Sequence, residues 1–216
     1  MKTKLLKFLS QKKTFTGVRQ KQWGNGILKS KIHYKNGKKE GRETFWYESG
    51  EKKSESHWEN GVQEGLKTTW YKSGAKQLES HYENGEQEGL ETIWLESGAK
   101  ASERYFVNGN QEGMETIWLK SGEKKSESHY EDGDLAGLAT TWYKSGENLS
   151  EVRFVNGKQE GLKTTWYKSG AKASERYFIN GKQEGLETWW YESGAKFKEL
   201  HYENGEQTIE KNFYKS

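Results

Sequence analysis

A unit of 24 residues recurs along this chain without a single insertion. From Gly41 the unit GRETFWYESGEKKSESHWENGVQE returns with its leading glycine at Gly65, Gly89, Gly113, Gly137, Gly161 and Gly185. A degenerate copy precedes them, from Gly17 through Asn36-Gly37 to Glu40. Eight units cover residues 17–208, and the stretch IEKNFY (209–214) opens a ninth. A fixed period of this size means one supersecondary unit per repeat, stacked on its neighbours and not around a central core. The chain divides into a basic tail or cap at 1–16, the eight repeats at 17–208, and a partial capping strand at 209–216.

Each unit reads as two short strands separated by two turns. In the unit beginning at Gly65, the first strand carries Leu66, Thr68, Trp70 and Tyr71 and ends at Ser73-Gly74. The second runs through Leu78, Glu79, His81 and Tyr82 to Asn84-Gly85. Alternating residues rich in β-branched and aromatic side chains, bounded by glycine turns, are strand signals, and Asn-Gly is a strong hairpin signal. From Gly17 onward the glycines stand at most 11 residues apart, which breaks any helix before it reaches a useful length. The fold class expected is all-β: an elongated repeat protein with a single twisted antiparallel sheet of about sixteen strands from eight β-hairpin units. At the usual strand spacing such a sheet is about 75 Å long.

Turn type sets which side chains share a face, because a one-residue slip reverses them all. Three-residue loops closing on glycine, Lys72-Ser73-Gly74 and Glu83-Asn84-Gly85, place Leu66, Thr68, Trp70, Leu78, Ser80 and Tyr82 on one face. Lys67, Thr69, Tyr71, Glu79 and His81 then share the other. The first face carries Trp46, Trp70, Trp94, Trp118, Trp142, Trp166 and Trp190. Twelve residues after each stands a second aromatic: Trp58, Tyr82, Phe106, Tyr130, Phe154, Phe178 or Tyr202. The same register sets Lys76 against Trp70, and Lys52, Lys100, Lys124, Lys172 and Lys196 against their own tryptophans, as cation–π pairs.

Composition narrows the function. Only 31% of residues are hydrophobic and 31% are charged, with a mean hydropathy of −1.18. Aromatics at 14% separate the chain from disordered sequences of similar polarity. The absence of cysteine excludes disulfides and thiolate chemistry, and no apolar run approaches the 18 residues of a spanning helix. The formal charge of +3 comes from the tail: residues 1–16 hold five lysines and no acid, leaving 30 basic against 32 acidic residues beyond it. A nucleic-acid binder concentrates positive charge on its folded part, so no nucleic-acid partner is expected. The tail lacks the form of a signal peptide, since Lys7 interrupts its short apolar stretch. With no cysteine and no such signal, the expected location is cytoplasmic.

The recurring Trp-Tyr-x-Ser-Gly and Tyr-x-Asn-Gly-x-x-x-Gly pattern resembles the MORN repeat. More closely it looks like the bacterial MORN-repeat variant of YwqK-type toxin–antitoxin antitoxins, although this pattern lacks the tight Gly-x-Gly pair of the commonest MORN unit. The resemblance spans 17–214. It implies a structural or interaction module that binds a partner protein or a membrane surface and, for the antitoxin type, neutralises a toxin by binding it.

No catalytic constellation stands out from the lattice. His33, His57, His81, His129 and His201 fill one slot of the unit, which Tyr105, Arg153 and Tyr177 fill elsewhere. Equivalent slots lie roughly 9.6 Å apart, too far for two imidazoles to share a zinc ion. Glu55, Glu79, Glu103, Glu127, Glu151, Glu175 and Glu199 are equally periodic and answer nearby lysines. No enzyme activity, cofactor or metal is expected. The candidate partner-binding residues are Tyr47, Tyr71, Tyr143, Tyr167 and Tyr191, a stripe opposite the tryptophans interrupted by Leu95 and Leu119, together with His57 and His81. Tyrosine offers contact area and a polar tip at low entropic cost. The leading expectation is a non-enzymatic protein-interaction module, an antitoxin or immunity protein. The alternatives are a membrane-apposed scaffold using residues 1–16 and a carbohydrate-binding aromatic surface. Asp132, Leu135-Ala136, Ala139 and Asn148 depart from the consensus, as does the second indole at Trp189; both drift and a partner's footprint account for such departures.

Overall fold

The computed structural model describes residues 14–213. Of the basic tail, residues 1–13 lie outside the described residues, and the expected membrane contact falls there. Among the described residues every regular element is a β-strand: 19 strands form one antiparallel sheet, each pairing with its neighbours in sequence. Two arms are split, into Asp134–Leu135 with Gly137–Trp142 and Lys158–Gln159 with Gly161–Trp166. Joining them leaves sixteen arms from eight units, plus the terminal strand Glu206–Asn212.

The two turns differ in kind. Tyr71 N–H donates to Ala75 O at 2.8 Å and Gly74 N–H to Tyr71 O at 2.9 Å, which closes the expected three-residue loop with Gly74 in the left-handed region at φ 85. The Asn-Gly turn is shorter than expected. Glu83 pairs with Glu86, so Asn84 and Gly85 alone form the loop, with φ of 53 and 86. Positive φ at both central residues is the type I′ requirement, which asparagine and glycine meet at low cost.

A bulge inside each hairpin corrects the expected face assignment. Trp70 pairs with Lys76 as anticipated, but Thr69 then pairs with Leu78, leaving Gln77 as an extra residue. One inserted residue reverses the parity of everything beyond it. Leu66, Thr68 and Trp70 therefore share a face with Lys76, Glu79 and His81, hereafter the tryptophan face. Lys67, Thr69 and Tyr71 share the other, the tyrosine face, with Gln77, Leu78, Ser80 and Tyr82. The second aromatic of each unit thus lies opposite the tryptophans and not beside them.

A second irregularity leaves the faces unchanged. Between one unit and the next, Glu79 pairs with Thr92 and His81 with Glu88, so Gly89, Leu90 and Glu91 span the single residue Ser80. Two extra residues restore parity. Gly89 takes φ 76 here, and a Cβ added to it meets nothing within 4 Å, so its conformation and not crowding selects glycine.

Burial follows a thin, polar midline. Among the described residues the buried apolar ones are Ala136, Val152 and Leu200, whereas Thr44, Thr68, Thr92, Thr164 and Thr188 are buried on the tryptophan face and Ser80 and Ser174 on the tyrosine face. The tryptophans are half-buried. Cohesion therefore comes from main-chain ladders and unit-to-unit contacts repeated at the lattice period. In six places the carboxylate before the bulge glycine accepts the main-chain N–H of the next unit's turn, as Glu64 Oε1 does from Asn84 at 2.8 Å. At the start, Thr16 Oγ1 takes that role for Asn36 at 2.9 Å and Phe15 O accepts from Gly37 at 2.7 Å. Residues 15 and 16 thus act as the last residues of a unit preceding the first.

Candidate interaction surfaces

On the tryptophan face the lysines form the expected cation–π pairs, but with a different partner. Lys76 Nζ lies 5.1 Å from the ring centroid of Trp94, in the following unit, and 2.6 Å from Glu79 Oε2. The arm carrying Lys76 runs between Trp70 and Trp94, and the ion pair with Glu79 holds the ammonium over the latter. Lys52 over Trp70, Lys100 over Trp118, Lys124 over Trp142 and Lys172 over Trp190 repeat the arrangement at 5.4 to 6.0 Å. Asn148 stands in the lysine slot of one unit and donates to Glu151 at 2.9 Å instead. An ammonium over an indole occupies the ring surface on which a sugar would stack.

The tryptophan face also carries an exposed aliphatic stripe. Leu66, Leu90, Met114, Leu138, Leu162 and Leu186 occupy one slot in six consecutive units, each between 49% and 54% exposed. Across the hairpin their partners are His81, Tyr105, His129, Arg153, Tyr177 and His201. The result is an alternation of aliphatic and polar or aromatic side chains running across the strands. Isolated exposed leucines are ordinary; a contiguous series marks an interaction surface. Sequence reasoning placed Leu66 on the face of the tryptophans but did not single out the leucine series or its exposure.

The candidate residues separate between the faces. His57 and His81 sit on the tryptophan face, next to Arg42 and Leu66. The tyrosines lie on the opposite face, half-buried, and their hydroxyls are engaged: Tyr47 donates to Trp70 O, Tyr71 to Trp94 O, Tyr143 to Trp166 O and Tyr167 to Trp190 O, each at 2.8 Å. Tyr191 packs on Phe197 with ring centroids 4.7 Å apart. Leu95 and Leu119, which interrupt the stripe, have no hydroxyl to make this link. The polar tips thus serve unit-to-unit cohesion.

Charges on the tyrosine face are locally matched in most places. Buried Glu91 accepts from Arg104 Nε at 2.6 Å and Gln87 Nε2 at 2.7 Å, and buried Glu43 from Lys39 Nζ at 2.7 Å. Burial, and then Glu115 beside it, raises the Tyr130 hydroxyl above its ordinary value. Near the C-terminal end the face turns aromatic, with Trp189 6.4 Å from Phe197 and the Arg176 guanidinium 5.4 Å from the Trp189 ring. Among the described residues no three histidine, aspartate or glutamate side chains gather as a metal site.

No curated protein matches the chain. Three stretches, residues 15–36, 39–60 and 183–204, match the family model of the MORN repeat variant. All three end on the asparagine of the type I′ turn, in register with the 24-residue lattice, and the second and third are separated by intact copies of the same hairpin. MORN repeats are in general protein- or membrane-interaction modules, and no catalytic family is indicated.

Proposed function

We infer that this chain is a non-enzymatic protein-interaction module that binds its partner across the tryptophan face. One observation carries the reading: six consecutive units hold a leucine or methionine half in water at the same slot. Side chains of this kind gain about 1.5–3 kcal/mol each on full burial, so partial burial of several beneath a partner supplies a substantial part of a binding energy. The flanking histidines, tyrosines and Arg153 furnish the polar contacts that fix register. Neutralisation by occlusion, as an antitoxin or immunity protein performs it, is the form of binding we propose. It is supported by the resemblance of the unit and needs no chemistry from this chain.

Affinity purification at low salt from native cells, with wild type and the triple variant Leu90→Glu, Leu138→Glu, Leu162→Glu side by side, tests the reading. A polypeptide retained in stoichiometric amount by wild type and lost from an equally folded variant supports it. Equal retention by both, or none by wild type, overturns it. Activity of the captured polypeptide, assayed with and without the chain, tests the neutralising role.

A further inference from the structure

Two arginines occupy the same lattice position on the tyrosine face, and their cross-strand partners have opposite charge. Arg104 is paired with Glu91, whose carboxylate it meets at 2.6 Å. Arg176 is paired with Lys163. Like charges directly opposite one another on a sheet are destabilising, yet here they stand half-buried.

The surroundings offset this only in part. Glu187 of the next unit lies 3.4 Å from Arg176 Nε but outside hydrogen-bond geometry, so the buried Nε–H lacks an acceptor. Lys198 is occupied with Glu210 at 3.3 Å. Lys163 has no hydrogen-bond or ion-pair partner among the described residues. On the side of the preceding unit the corresponding pair is Ala139 with Val152, which offers no charge. Burial first, and then Arg176, lowers the Lys163 ammonium below its ordinary value, as expected of a cation short of an anion. Beside Arg176, on the side away from Lys163, lies a cavity with an apolar wall of Trp189, Phe197 and buried Leu200, which Glu187 and Lys198 also line.

We propose that Lys163 and Arg176 form a receiving site for a carboxylate of a partner polypeptide, an aspartate or glutamate flanked by an apolar residue that packs on Trp189 and Phe197. The chain shows what an arginine at this lattice position takes, since Glu91 supplies it to Arg104 from the neighbouring strand of the same unit. Charge complementarity selects the occupant: one local excess of positive charge on a slightly acidic sheet suits a single carboxylate and repels a polyanion. Ammonium and guanidinium together hold it through charge-assisted hydrogen bonds, which are stronger than neutral ones. The site lies on the face opposite the exposed stripe and stands or falls separately from it.

The experiment is fluorescence anisotropy with a labelled peptide of alternating glutamate and phenylalanine, against the full chain. Wild type is expected to bind it, to bind the glutamine counterpart at least tenfold more weakly, and to keep the peptide in the presence of about 10 mM inorganic phosphate. Lys163→Met should lose at least tenfold. Lys163→Glu, which recreates the Glu91–Arg104 arrangement and should melt no lower than wild type, should lose at least as much. Lys163→Arg should retain binding. Absence of binding, equal binding of the glutamate and glutamine peptides, or equal binding by wild type and both charge-removing variants overturns the proposal. Displacement by phosphate overturns the carboxylate in favour of a phosphorylated group.

Discussion

The hydroxyl of Tyr71 donates to the main-chain carbonyl of Trp94, 2.8 Å away and one unit further along the chain. It is a side chain of one repeat closing a main-chain acceptor of the next, where the strand runs into its turn. Stability of a repeat protein is approximately a sum over units and interfaces. Tyr71→Phe removes one interface bond and should cost about 0.5–1.5 kcal/mol. Leu95→Tyr should recover a similar amount by reaching Trp118 O. Urea midpoints of the two variants against wild type check both signs; an unchanged midpoint for Tyr71→Phe would remove the hydroxyl from the account of cohesion.

Gly89 offers a test in which packing plays no part. A methyl group there meets no atom within 4 Å, but the residue holds φ 76 at the unit boundary. Gly89→Ala should therefore destabilise by about 1–2 kcal/mol through backbone conformation alone. Gly89→Asn should cost less, because asparagine enters the left-handed region more readily. Thermal melts that rank alanine above asparagine in stability would contradict the conformational argument.

The glycines and asparagines made the repeat, the hairpins and their order legible in the sequence, because positive φ restricts residue choice. The bulge at Gln77 was illegible for the converse reason. A bulge residue near the right-handed helical region accepts ordinary side chains, and its slot holds Lys53, Gln77, Ala101, Lys125, Leu149, Ala173 and Phe197. Without it the alternation within each arm is legible, but the two arms join with the wrong parity. That single residue moved the histidines away from the tyrosines and brought them beside the leucines. The Asn84-Gly85 loop was likewise one residue shorter than read. The Lys163–Arg176 pair could have been found from sequence only with the corrected register, since the two residues lie on different arms.

The turn carboxylates form a second interface series with one gap. Glu64 accepts from the main-chain N–H of Asn84, and the equivalent position before Gly137 is Ala136. Glu64→Ala leaves an exposed N–H to water and should cost roughly 0.5–1.5 kcal/mol, a charge-assisted bond partly offset by solvation. Amide hydrogen exchange at Asn84 should accelerate in that variant while the amide of Asn108, capped by Glu88, is unaffected. Acceleration at both would show that the bond acts on the whole sheet and not on one turn.

Lys163 gives the chain a pH dependence of definite sign. Its folded-state pKa is lowered from the ordinary 10.5, by burial and by Arg176, so the folded chain releases this proton before the unfolded chain does. Between the two values the unfolded state binds more protons, and stability contributed by this site rises with pH. Tyr202 acts in the opposite sense: burial, and then Glu187, raises its hydroxyl above 10.0, so that above this pH the folded state retains a proton the unfolded state has lost. Comparing wild type with Lys163→Met cancels the tyrosine contribution, since both proteins carry it. The stability of wild type relative to the variant should therefore stay level near neutral pH, climb as the pH approaches the unfolded lysine value, and level off beyond it. Urea midpoints taken at intervals across that range measure the difference. A flat difference would mean that Lys163 titrates alike in both states and that the pair with Arg176 is balanced by a charge already in the chain.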